Sequence, residues 1–360
     1  MTRHTSPHIQ DSKLLQLNLD FCTDERQRSL RQLRPGDRLT LLRRNRLLPM
    51  ALNSPREPLA SSRAFQRNRV DQSAAELIEA FSSAGISVLV LKGAALAHSV
   101  YKEPAMRPRT DTDLLVANAD LDAAIQLLSA RGYQTDATSA HDVISRQMSF
   151  VPAEPEAGVI DLHFALSNQP EFAASFDFAW LAANAVAVPR LSPDARGLHP
   201  SHALLHAVMH YYAHLPAHER PAIWLLDIAL LARSLSCEDW IRVDGEARRA
   251  GICGLLEAGI DATREWFDCP CPDILQRAWQ IHGRAEWRSA RIDERMADRH
   301  STRLALLGLP SLSDRVRYLW RRAFPTANWM RARYGISSST VIAGAYLWRL
   351  LHGVRRRMQR

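Results

Sequence analysis

The chain has 360 residues, 46% apolar and 23% charged, with 46 basic against 38 acidic side chains and a formal charge of +8. These are the proportions of an ordinary soluble globular protein, long enough for two or three cores. A polar N-terminus without an apolar signal region, and a longest late apolar stretch of only 341–348, argue for a cytoplasmic chain with no membrane span.

Only three of the basic residues are lysines, Lys13, Lys92 and Lys102. The five cysteines are few, odd in number and scattered, which suits free thiols. Cys269-Pro-Cys271 is too tight for a zinc knuckle.

Residues 1–70 read as an arginine-rich helical lead-in with a loop around 53–62. Residues 71–170 read as a mixed α/β core. Asp71 is placed to cap a helix with Leu77, Ile78 and Phe81 on one face and Gly85 as its stop. The aliphatic run 86–91 predicts a buried strand, Lys92-Gly93 a turn, and 94–101 a short helix. After a proline-containing loop, 112–116 is the next strand. Asp120 is placed to cap a helix reaching Gly132, and strands follow at 143–151 and 159–166. From about 175 the periodicity is helical, with helices starting at Pro200 and Pro221 and others over 238–267, 272–300, 312–323 and 338–356. Residues 171–360 therefore read as a helical domain.

The chemistry concentrates at Asp111-Thr112-Asp113, followed directly by Leu114-Leu115-Val116. Residues two apart on a strand project to one side, so the two carboxylates lie side by side. They repel unless a cation lies between them, and hard oxygen donors suit Mg²⁺ with phosphate as co-ligand. Lys92-Gly93 ends the preceding strand eighteen residues earlier. Asp161, within Ile160-Asp161-Leu162-His163, is an acid in an apolar strand, where an unpaired carboxylate is costly to bury.

A strand, a glycine turn, a helix and a strand carrying Asp-x-Asp form a recognisable layout. With 90–97, Tyr101, 109–116, Gly132-Tyr133 and 160–163, the chain resembles the uncharacterised nucleotidyltransferase family of the DNA polymerase β-like nucleotidyltransferase superfamily. The resemblance implies an α+β fold: a small mixed-sheet core, an N-terminal helical segment and a mostly α-helical C-terminal domain. It implies a metal-dependent enzyme that moves a nucleoside monophosphate from an NTP such as ATP to an acceptor and releases pyrophosphate. Asp111, Asp113 and Asp161 are then the catalytic carboxylates and the ligands of a two-metal Mg²⁺ site. Lys92, Gly93, Arg109 and His163 are the nucleotide-binding residues, with Arg107 a further candidate. The acceptor (small molecule, peptide, protein or RNA) and the oligomeric state are not readable. The superfamily's usual turn is Gly-Ser or Gly-Gly, whereas this chain has Gly93-Ala94. That departure favours the alternative, a catalytically inactive nucleotide-binding or scaffolding member of the same fold.

Two other readings compete. An Asp-x-Asp glycosyltransferase normally carries its acidic pair at the end of an apolar strand, whereas here the apolar residues follow it. His202, His206, His210 and His214 recur every four residues, flanked by His199 and His218, and stack along one helical face. Such a ladder can bind zinc, but no glutamate follows the first histidine as a hydrolase helix requires. Asp227, in the apolar helix 223–231, needs a buried partner, and His206 or His210 is the expected one. The basic run 355–357 reads as a solvated terminus.

Overall fold

A computed structural model of the protein describes residues 19–47, 58–135, 146–167, 170–173, 175–213, 220–286, 306, 309, 311–336 and 341–349. The fold is α+β: an N-terminal helical stretch, a central mixed sheet and a largely helical C-terminal region. Helices α1 (Asp24–Gln32) and α2 (Pro35–Arg44) lead into the long α3 (Pro58–Ser83). Thr23 caps α1 by accepting from Arg26 N, and Pro35 opens α2 with the φ that a first turn wants.

Asp71 does not cap a helix. It lies inside α3, which begins thirteen residues before it, and spends its carboxylate on Arg109 and His98 instead. Gly85 does end the element in the left-handed region, at φ 71°. The sheet then follows with β1 (Val88–Leu91), α4 (Lys92–Ser99), β2 (Asp111–Val116), α5 (Leu121–Ala130), β3 (Tyr133–Thr135), β4 (Gln147–Pro152) and β5 (Val159–His163). Asp120 precedes α5 but makes no side-chain cap. Short helices α6 (Pro170–Ala173) and α7 (Phe178–Ala183) precede β6 (Val186–Ala187) and β7 (Arg196–Gly197). These two-residue strands fall where the sequence reads as helical, and they extend the sheet to the order β3-β4-β5-β2-β1-β7-β6.

Alternation decides what each face of the sheet meets. Val88, Val90, Leu114, Val116, Ile160 and Leu162 point to one side and bury against Leu77, Ile78 and Phe81 of α3 and Ala124 and Leu128 of α5. Leu89, Leu91 and Leu115 point to the other side and join the larger core of the helical region. That region contains α8 (Pro200–Ala213), α9 (Ile223–Ser234), α10 (Cys237–Ala250), α11 (Cys253–Arg264), α12 (Asp273–Gly283), α13 (Leu312–Ala323) and α14 (Ala327–Tyr334). The span 238–267 is thus two helices, split at Gly251 in the left-handed conformation (φ 63°). Leu19, Leu30, Leu42 and Leu47 are 0–1% exposed within this second core. At about 1.5–3 kcal/mol for each buried leucine, the lead-in is a docked part of the fold from residue 19 onward. Residues 341–349 are helical. Residues 58–62 of the expected loop are helical, inside α3, while residues 53–57, the start of the strand at 143, the helix beyond residue 286 and the basic run 355–357 lie outside the described residues.

Among the described residues no helix is long and apolar enough to cross a membrane.

Candidate active site

Strand pairing assembles the acidic residues. In β2 the side chains of Asp111 and Asp113 share a face, while Thr112 is buried on the other side. β5 runs parallel to β2 with Asp161 directly opposite Asp113, so the third carboxylate joins the same face. β4 is antiparallel to β5 and places Ser149 opposite Asp161, where the hydroxyl donates to Asp161 Oδ1 at 2.5 Å. On the far side, Leu91 of β1 pairs with Asp113. The next residue, Lys92, takes φ 47° and turns the chain straight into α4. Its ammonium returns over the strand and donates to Asp113 Oδ1 at 2.6 Å. The His163 ring lies on the same oxygen, Nε2 to Oδ1 2.9 Å, and 3.3 Å from Lys92 Nζ. With Nε2 carrying the proton towards Asp113, Nδ1 is left as a buried acceptor without a partner.

This arrangement spreads the acidities apart. Burial works to raise the Asp113 carboxyl, but the Lys92 ammonium and the His163 contact outweigh it and hold it well below the usual carboxylate range. Burial pushes Asp161 up to about 6; the charges of Asp113 and Asp111 add to this, and the Ser149 hydrogen bond opposes it. Asp111 is raised by burial and by Asp113 beside it. Burial and the neighbouring Lys92 keep His163 below the usual imidazole range, so the ring is neutral at pH 7.

The arginines of the 107–109 segment reach the same cleft but are held by other carboxylates. Arg107 is buried and grips Asp227 with two nitrogens, Nε to Oδ1 at 2.8 Å and Nη2 to Oδ2 at 2.7 Å. Tyr101 donates to the same carboxylate at 2.7 Å. The partner of Asp227 is therefore an arginine 120 residues away, where a neighbouring histidine was expected. The Arg107 guanidinium lies over the glycine turn, and a Cβ at Gly93 would meet it at 3.5–3.7 Å, an ordinary contact distance. Arg109 pairs with Asp71 and also donates to Thr112 Oγ1 at 2.7 Å and to the Asp111 carbonyl at 3.0 Å. Its charge is balanced inside the fold.

A cleft of about 230 Å³ opens over this face. Lys92, Gly93, Arg109, Asp111 and Asp113 line one wall, and His206, His210 and Trp224 line the helical wall, with Arg46 of the lead-in beside them. Asp161 and His163 are not among the lining residues; they lie beside and behind Asp113 on the sheet. The histidine ladder divides along α8. His202 is fully buried among the rings of Phe176, Trp180 and His199, while His206 and His210 reach the cleft, His210 4.5 Å from Trp224. His214 and His218 lie outside the described residues.

Ser149, Arg46 and Trp224 escape a reading of the sequence. Ser149 had one faint signal, a hydroxyl alternating with Met148 and Phe150 in an apolar strand. Arg46 had none among so many arginines.

Among the described residues no group of three or more His, Cys, Asp or Glu is drawn together to hold a metal ion. The donor chemistry nonetheless suits a hard divalent cation: three carboxylates share one sheet face, and Asp111 and Asp161 are raised by burial and by the charge of Asp113. In this structure the Lys92 ammonium supplies the compensating charge at Asp113.

A family model described as "Uncharacterised nucleotidyltransferase" matches residues 36–268. The match takes in the lead-in from α2, the sheet, the glycine turn, all three carboxylates and Asp227. No curated protein matches the chain.

Proposed function

The chain belongs to the uncharacterised nucleotidyltransferase family, and from that premise we propose that it transfers a nucleoside monophosphate from an NTP to an acceptor. The observation that carries the reading is the register of β2 and β5, which sets Asp113 opposite Asp161 with Asp111 two residues away on the same face. Two of the three carboxylates open on a cleft beside Lys92 and Gly93.

In this reading an acceptor oxygen attacks the α-phosphorus, a new O–P bond forms, and the bridging oxygen leaves with pyrophosphate. Asp111, Asp113 and Asp161 are the residues that would hold Mg²⁺, which would supply charge neutralisation at the phosphates. In this reading Asp161, whose carboxyl burial pushes up to about 6, takes the acceptor's proton. The first turn of α4, with Gly93 and Ala94, offers backbone N–H groups to phosphate oxygens. Lys92 exchanges Asp113 for a phosphate when nucleotide and cation enter. His163 holds Asp113 in place from behind the cleft. Arg107 and Arg109, whose charges are satisfied by Asp227 and Asp71, shape the glycine turn and the start of β2.

The test is transfer of label from α-phosphate-labelled NTPs in a cell extract, with pyrophosphate release as a second readout. The parent protein with Mg²⁺ is expected to label one molecular species, and Asp113→Ala and Asp111→Ala to lose at least ~10²-fold in rate. Either variant working like the parent removes the carboxylates from the mechanism.

One observation favours a second reading. The Lys92 ammonium already balances Asp113, and the turn lacks a hydroxyl at Ala94, as a nucleotide-binding member without turnover would tolerate. Metal-dependent ATP binding in calorimetry, with no pyrophosphate released in any extract, would establish that reading.

A further inference from the structure

Among the described residues, three outside glycine adopt the left-handed backbone: Arg46 (φ 57°), Lys92 (φ 47°) and Arg146 (φ 49°). Two of them, Arg46 and Lys92, line the same cleft. A residue other than glycine carries a backbone cost in this region, and Arg46 is the left-handed residue that closes the C-terminus of α2.

What holds Arg46 there is visible on both sides. Before it, Asn45 accepts from Ala222 N through its side chain at 3.0 Å and from Ile223 N through its carbonyl at 3.2 Å. Its own amide donates to the Leu41 carbonyl at 2.9 Å. After it, Leu47 is fully buried and its N–H donates to the Leu42 carbonyl at 2.8 Å. The backbone is pinned against the start of α9, and the Arg46 side chain is left exposed at the edge of the cleft.

Charge then singles it out. A nucleoside triphosphate brings several negative charges into a space lined by Asp111 and Asp113. The cleft's other arginines are engaged, Arg107 by Asp227 and Arg109 by Asp71, while Lys92 rests on Asp113 until nucleotide enters. No hydrogen bond or ion pair holds the Arg46 guanidinium among the described residues. From this we propose that Arg46 is the cleft's phosphate-binding arginine, contacting the phosphates of the bound nucleotide from the helical lead-in. The assignment rests on the nucleotidyltransferase reading. It hands to residue 46 the task that the sequence assigned to Arg109. A planar guanidinium suits the role, because it meets phosphate oxygens with two parallel N–H donors.

The experiment compares ATP, AMP and adenosine binding, each with Mg²⁺, by calorimetry on the full chain and its variants. Arg46→Ala is expected to weaken ATP about tenfold or more, AMP less, and adenosine not at all, with Arg46→Lys recovering part of the loss. Arg46→Gly adds a second axis. It relieves the left-handed strain, so its melting temperature is expected at or above the parent's while its ATP binding falls as in Arg46→Ala. ATP affinity unchanged in both variants overturns the assignment. So does an equal loss for adenosine, which would mark a structural effect. Unchanged ATP affinity with impaired transfer to an anionic acceptor overturns it too, by moving Arg46 to the acceptor. A parent that binds no ATP at all removes the nucleotidyltransferase reading first, and this inference with it.

Discussion

Asp227 shows how a residue can matter to the cleft without touching a substrate. Its carboxylate is 4% exposed and satisfied by Arg107 and Tyr101, both from the loop between α4 and β2. Removing one partner of a buried ion pair strands the other charge, so Asp227→Asn is expected to cost about 3–5 kcal/mol of stability in urea unfolding. The double variant Arg107→Leu with Asp227→Leu should recover much of that loss, because no lone charge remains. The sequence announced that Asp227 needs a partner, since a carboxylate among Ile, Leu and Ala demands one. It could not say which, because the partner lies 120 residues away and its choice is fixed only by packing. The carboxylates were easier to read. Their spacing of two and the apolar run after them are local facts, and local facts survive without a fold.

Between elements, α11 and α12 come close together at Gly254 and Gly283. A Cβ at Gly283 would lie 2.4 Å from Gly254 Cα and 2.7 Å from its nitrogen, with backbone as the obstacle and no flexible side chain to yield. Gly283→Ala is therefore expected to destabilise by about 1–3 kcal/mol or more through overpacking, seen as a lowered melting temperature. Gly245→Ala on the open face of α10 is the control, since nothing lies within 4 Å of its added methyl, and it should be neutral to stabilising. Helix existence was legible from periodicity and from stop signals such as Gly85 and Gly132, whereas the stop at Gly251 emerged only in the fold. Helix starts were less so, and Asp71 and Asp120 show why. A carboxylate that could cap a helix is also a free ligand for tertiary partners, and Asp71, well inside α3, goes to Arg109. The two-residue strands β6 and β7 carry too few alternations to register against a helical background.

Across the whole molecule, His202 links α8 to α10 and to the segment carrying Phe176 and Trp180. It is fully buried with neither ring nitrogen hydrogen-bonded. Burial lowers its pKa to about 4; Glu246 opposes this, while His199, Arg242 and Arg249 add to it. A histidine depressed in the folded state binds its proton more readily once unfolded. Its contribution to stability is complete above pH ~6.5 and drains away as pH falls to about 4. Asp161, with its carboxyl pushed up to about 6, works in the opposite sense over the range down to the ordinary aspartate value. The comparison that isolates His202 is His202→Leu against the parent. The parent should lose more stability than the variant between pH 7 and pH 4.5, measured as urea midpoints.

The bonds from Asn45 to the first amides of α9 have a practical consequence for anyone shortening the chain. A fragment cut to begin with the sheet would expose Ala222 N and Ile223 N to solvent and uncover the apolar seat of Leu42 and Leu47. It would also forfeit Arg46, the lead-in's only lining residue of the cleft among the described residues. The carboxylate-bearing strands would survive such trimming in sequence, yet the cleft beside them would become a lopsided vestibule with one bank missing.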